Sequence, residues 1–224
     1  MKLMQFWSEE RSLTTLLVLL AINMFVLDPL IQQGIRFGLM RSVFFSLLLL
    51  AGLLTMTRHE ILRAVSIVFV TLALMVHWAR VTLGASGLLG WDVLFSLLSV
   101  SAFTMVVLWQ VNRKGPVTGH RIRGAIAGYL LLGLAFACAY ALIEYLIPGS
   151  FQVPAAEFRS TEAEFDAFFY FSVVTLTTLG YGDITAILPA ARSAVMIEGL
   201  LGQLYPAILI ARLISMQIET RKKE

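Results

Sequence analysis

Charge is scarce in this chain. Asp, Glu, Lys and Arg make up 14% of its 224 residues, where soluble domains carry about a quarter. An ordinary water-soluble domain is therefore excluded, because too few charged groups exist to cover its surface. The single cysteine, Cys138, rules out a disulfide within one subunit, and in its apolar run it reads as a small buried hydrophobe. Three histidines, at positions 59, 77 and 120, lack ligand spacing and give metal chemistry no support. The formal net charge of +3 does not point to nucleic acid, since the cations sit between hydrophobic runs, where membrane topology explains them.

Hydrophobic residues, at 58%, fill the rest. A bilayer core about 30 Å thick takes about 20 apolar residues per helix. Six runs reach that length, at residues 12–31, 39–57, 61–81, 91–111, 122–147 and 190–216. Arg58-His59-Glu60, the glycines at 84, 87 and 90, the basic Gly115-Pro116 linker and Pro148-Gly149 punctuate them. Residues 1–11 form a polar lead-in with Phe6 and Trp7 suited to the headgroup level. The first run is too long for a signal peptide and lacks a small-residue cleavage site.

Charge sidedness orients these runs. With a cytoplasmic N-terminus and six crossings, Lys2, Arg11, Arg58, Arg63, Arg113, Lys114, Arg121, Arg123, Arg212, Arg221, Lys222 and Lys223 fall inside. Only Arg36, Arg41, Arg80, Arg159 and Arg192 fall outside. Twelve cations against five is the bias expected of a multi-pass cell-membrane protein with both termini cytoplasmic.

Between the fifth and sixth runs lies a segment too short to cross. Thr161-Glu-Ala-Glu164 reads as a capping box that opens a helix ending near Leu176. Sixteen residues reach about 24 Å, so a helix starting at the outer surface ends near mid-membrane. Irregular backbone at that depth is tolerated only when buried in protein or lining a water-filled cavity. The helix's negative C-terminal end would favour a cation there, with Phe165, Phe168, Phe169, Tyr170 and Phe171 as surrounding bulk. The end of this helix leads into the run Thr175-Leu-Thr-Thr-Leu-Gly-Tyr-Gly-Asp183, whose glycines suit an extended backbone with its carbonyls turned to one side.

Thr177-Thr178-Leu179-Gly180-Tyr181-Gly182 resembles the selectivity filter of potassium channels, with Leu179 where valine is usual. The resemblance implies K⁺ as the permeant ion, coordinated by backbone carbonyls of Thr178, Leu179, Gly180 and Tyr181 and by the Thr178 hydroxyl. Filter support would come from Tyr170, Val174, Thr177, Gly182 and Asp183, with Tyr170 bracing Asp183 although tryptophan is usual there. Glu144 resembles a glutamate that ties the fifth span to the pore loop, and simple interfacial exposure is its other reading. Gly202 falls at the inner-helix hinge, and Tyr205, Pro206, Ile208 and Leu209 are the inner-gate candidates. The usual proline three residues after the filter aspartate is Ala186 here, with a proline at 189 instead, so the outer turn is expected to differ.

Across nearly the whole chain, this resembles the six-span channel plan. The expected fold is all-α and transmembrane, with six spans plus a re-entrant pore helix and filter. One loop per chain requires a homotetramer, since four loops complete the filter. The expected divisions are a four-helix sensor-like or scaffold domain at 1–111, a cytoplasmic linker at 112–121, a pore domain at 122–216 and a tail at 217–224. Partners would be copies of itself and membrane lipids, with no nucleic acid, cofactor, cytoplasmic ligand-binding domain or enzymatic chemistry. A weakly selective cation channel and a non-conducting modulatory subunit are the alternatives.

Voltage-gated members carry an arginine about every third residue in the fourth span, whereas residues 91–110 contain no Arg or Lys. Asp28 and Asp92, near outer ends, read as headgroup-level residues. One elementary charge crossing the field yields about 2.3 kcal/mol per 100 mV, so this span offers the field almost nothing to move. Open probability should depend only shallowly on voltage. A steep slope in patch recordings that survives ion substitution would show a sensor elsewhere.

Overall fold

The computed structural model describes residues 14–22, 38–54, 60–112, 118–154 and 161–221. Within them, the apolar runs are helical, as they must be if backbone N–H and C=O groups are to be satisfied without water. In chain order the helices are α1 (residues 14–22), α2 (Gly38–Leu54), α3 (Glu60–Leu83), α4 (Leu89–Val111), α5 (Gly119–Leu146), α6 (Thr161–Leu176) and α7 (Pro189–Arg221). A 3₁₀ turn at Ser86–Leu88 joins α3 to α4. The described strands are β1 (Phe151–Gln152) and β2 (Thr185–Ala186), paired antiparallel with Phe151 opposite Ala186.

Four described helices are long and apolar enough to cross a membrane, over Arg63–Leu83, Leu89–Val111, Arg121–Leu146 and Pro189–Arg212. Helix α2, with 17 residues, reaches about 26 Å, short of a full hydrocarbon core. The later part of the expected first span, including Asn23, Asp28 and Pro29, lies outside the described residues, as do residues 55–57 of the second. Helix α7 begins at Pro189, where the missing amide hydrogen costs nothing, and continues unbroken through Pro206.

The chain divides into two compact units, and the boundary falls within α5. Among the described residues, one unit comprises 14–22, 38–54, 60–112 and 119–131, the other 118, 132–154 and 161–221. In the first unit, α2, α3 and α4 pack together around Leu49, Val70, Ala73, Val100, Phe103 and Val107. Gly52 permits a close approach there, because a methyl group on it would meet the buried Phe103 ring at 2.5 Å. Hydroxyls on apolar helices bond back to the preceding turn: Ser99 Oγ donates to the Phe95 carbonyl and Thr104 Oγ1 to that of Val100, each at 2.8 Å. Trp78 Nε1 donates to Ser46 Oγ at 3.1 Å and links α3 to α2.

Asp92, expected at the headgroup level, is packed against other side chains in the first turn of α4. It is buried, 5% exposed, and accepts from Arg80 Nε at 2.7 Å while His77 Nδ1 lies 3.1 Å from the same Oδ2. The physical reason is pairing: α3 brings a guanidinium and an imidazole to the first turn of α4, and an acid with such partners can leave water. Truncating Asp92 to alanine would strand Arg80 beside a buried imidazole. We expect Asp92→Ala to cost about 3–5 kcal/mol of stability, read as a lowered unfolding midpoint in detergent, and Asp92→Asn to cost less.

Candidate functional site

The second unit is built around aromatic rings. Tyr140 of α5, Phe151 of β1 and Phe168 and Phe171 of α6 form a buried cluster with Ile184 and Ala191. The Phe151 ring lies 5.2 Å from Tyr140, 5.0 Å from Phe168 and 5.9 Å from Phe171, centroid to centroid. These spacings suit tilted and edge-to-face aromatic contacts. Phe151 thus seats the linker after α5 against α6. Its strand also holds the segment leading into α7, where the Ile187 and Leu188 amides donate to the Ser150 carbonyl at 2.8 and 3.3 Å.

Helix α6 ends at Leu176, and the residues after it take up its last carbonyls. The Thr177 amide and Thr177 Oγ1 both donate to the Val173 carbonyl, at 2.9 and 2.6 Å. The amides of Leu179 and Gly180 donate to the Val174 carbonyl at 2.9 and 3.4 Å, and the Thr178 amide reaches Thr175 at 3.0 Å. Three of the four orphan acceptors of the helix C-terminus, at Val173, Val174 and Thr175, are thereby satisfied locally. The side chain of Thr161, expected to cap the other end, lies outside the described residues.

Beyond Leu176 the backbone turns before it extends. Thr177 and Thr178 form a turn, and φ is positive at every second residue: 62° at Thr178, 57° at Gly180 and 78° at Gly182. Glycine reaches such angles freely, whereas a β-branched residue there is strained by about 1–3 kcal/mol. The segment is exposed in the single chain, Leu179 by 59% and Tyr181 by 68%. Leaving an aliphatic and an aromatic side chain bare beside strained backbone is costly unless another surface covers them.

One carboxylate braces the far end of this segment, and another braces the linker after α5. Tyr170 Oη donates to Asp183 Oδ2 at 2.8 Å, and the Ile184 amide donates to Asp183 Oδ1 at 3.1 Å. Glu144, near the end of α5, accepts from the Gly149 amide at 2.7 Å and the Phe151 amide at 3.0 Å. Burial, and next the charge of Glu144, push the Glu164 carboxyl above its ordinary range. Ala186, where the resemblance would place a proline, is instead the β2 residue opposite Phe151.

On α7, Glu198 is completely buried. It accepts from Tyr140 Oη of α5 and contacts Ser172 Oγ of α6, and Ser172 Oγ also donates to the Gly133 carbonyl at 2.7 Å. None of Glu198, Tyr140 and Ser172 was a site candidate from sequence. The available signal was an ionisable residue inside an apolar span, which in a membrane protein is a functional candidate by default. One turn further, Gly202 packs on the Leu176 carbonyl so closely that an added Cβ would overlap it. Tyr205, Pro206 and Leu209 are half-buried and Ile208 is 59% exposed in the single chain, so the structure does not gather them into one constriction within one subunit.

With this geometry in view, residues 128–219 match a family model described as an ion channel, Ion_trans_2. No curated protein and no solved structure matches the chain. The match covers α6, the segment after it and nearly all of α7. Together with the apolar helices it supports a multi-pass membrane ion channel.

Gly202 supplies a direct test of how α7 meets the end of α6. The atom it abuts is backbone, which no rotamer change can move aside. Gly202→Ala should cost about 1–3 kcal/mol by overpacking and reduce ion flux in liposomes. An alanine variant with unchanged stability and flux would show that the two helices separate freely there.

Proposed function

We propose that this chain is one subunit of a homotetrameric, potassium-selective channel that passes K⁺ down its electrochemical gradient without covalent chemistry. Its six spans would cross the cell membrane, among lipids, with both termini cytoplasmic. Helix α6 would be the re-entrant pore helix, α5 the outer helix and α7 the inner, pore-lining helix. The filter would be the Thr-Leu-Gly-Tyr-Gly run, with ion oxygens from Thr178, Leu179, Gly180 and Tyr181.

One observation carries this reading. Directly after a 16-residue helix too short to cross, the sign of φ alternates through Thr178, Gly180 and Gly182. In a uniform strand successive carbonyls point to opposite sides. Alternating the hand of successive residues is the backbone condition for carbonyls to share a side, and a ring of such carbonyls can replace an ion's hydration shell. The exposure of Leu179 and Tyr181 in one chain supports three further copies around an axis. Gly202, against the end of α6, suits a hinge in the lining helix.

The mass of the protein in nanodiscs should correspond to four copies, and liposomes containing it should take up K⁺ in preference to Na⁺. Gly180→Ala should abolish K⁺ flux or its preference while the tetramer persists, because alanine resists the φ of 57° found there. Thr178→Ser should be much milder, and Thr178→Ala should weaken Ba²⁺ block. A conducting monomer or dimer, or K⁺ preference unaltered in Gly180→Ala, would overturn the proposal.

A further inference from the structure

Protons can be counted at the contact between α5, α6 and α7, and the count does not close for an ionised glutamate. Ser172 Oγ lies within hydrogen-bond distance of both the Gly133 carbonyl and Glu198 Oε1. A serine hydroxyl has one hydrogen to donate. The Gly133 carbonyl can only accept, so it takes that hydrogen. The contact between Ser172 Oγ and Glu198 Oε1 then holds a hydrogen only if Glu198 brings it. Tyr140 Oη already gives its one hydrogen to Glu198 Oε2. With Glu198 neutral, all three contacts are hydrogen bonds. With Glu198 ionised, two oxygens would face each other with no proton between them.

The surroundings agree with the count. No cation is paired with Glu198 among the described residues, and it is fully buried. An isolated buried carboxylate is among the costliest groups a protein can hold. From α5 the titratable group against it is Tyr140, and Glu144, one turn further, is engaged by the Gly149 and Phe151 amides. From α6 the facing group is Ser172, which does not titrate, while Tyr170 of that helix is turned to Asp183.

We propose that Glu198 is a protonated positioning residue that fastens the inner helix to the pore helix and the outer helix immediately behind the filter. This rests on the channel reading above for its consequence, but not for its proton. Glu198 and Gly202 lie four residues apart on α7, and the groups they meet, Ser172 and Leu176, lie four apart on α6. Residues so spaced share a helix face, so the two contacts form a seam one turn long. The seam ends at Leu176, where the filter begins. A displacement of α7 is therefore delivered to the base of the filter through one hydrogen-bonded acid and one backbone contact.

The proton distinguishes this role from an ordinary buried charge. Glutamine at 198 can donate from its amide to Ser172 and accept from Tyr140, reproducing the neutral acid but not a carboxylate. Glu198→Gln should therefore keep the K⁺ over Na⁺ flux ratio within about twofold, whereas Glu198→Ala and Ser172→Ala should each lower it about tenfold. Infrared difference spectra of the intact tetramer at neutral pH should show a protonated-carboxyl carbonyl band that is missing in Glu198→Gln. If Glu198→Ala fails to assemble, the glutamine variant and the band decide the matter. Absence of the band in the unaltered protein, or a glutamine variant as impaired as the serine-to-alanine one, overturns the proposal. Equal K⁺ and Na⁺ fluxes through the unaltered protein would instead overturn the potassium reading, and the band reports the proton of Glu198 either way.

Discussion

A helix that ends leaves its last carbonyls without intrahelical partners, and the second unit is organised around that constraint at the end of α6. At the end of α6 the Val173 carbonyl takes the Thr177 amide and hydroxyl, and the Val174 carbonyl takes the amides of Leu179 and Gly180. A backbone group left unmet away from water would cost about 1–3 kcal/mol. The turn at Thr177 and Thr178 results from this demand. To give its amide to the helix end and continue onward, the chain enters the left-handed region at Thr178, a residue poorly suited to it. Local strain is exchanged for satisfied carbonyls.

Packing from three directions keeps that arrangement in place. The rings of Tyr140, Phe151, Phe168 and Phe171 hold α5, β1 and α6 together. Tyr170 holds Asp183 beyond the far end of the segment, and Glu144 holds the amides beyond the end of α5. At the near end Glu198 and Gly202 fasten α7 to α6. An exposed strained segment needs such over-determination, since its own backbone would otherwise relax.

Both units solve the problem of buried polar groups, in different ways. In the first, Asp92 is matched by Arg80 and His77, so charge is met by charge. In the second, Glu198 is met by two hydroxyls. The first solution fixes the start of α4 against α3, and the second joins three helices at the end of α6. In each case the polar group replaces part of an apolar interface with directional contacts that admit one register.

The sequence by itself determined the membrane class, the approximate helices and the bounds of α6. Apolar runs and breakers are local signals, and they placed α4 and α5 within a few residues of their observed ends. The Thr161 start and the glycine-bearing run after Leu176 marked α6 at both ends, because the residues that start and stop a helix form short local patterns. The pairing of Tyr170 with Asp183 and the position of Glu144 were legible from the resemblance of adjacent motifs. Only the tertiary structure decided what Asp92, Phe151, Ser172, Glu198 and Gly202 do. Their partners lie far away along the chain: Glu198 is 58 residues from Tyr140 and 26 from Ser172. The α7 pattern is apolar nearly all round, so its periodicity carries no rotation that would aim Glu198 inward. Contact with α5 and α6 sets that rotation, since only there can a buried carboxyl find the donors and acceptors that hydrocarbon does not provide.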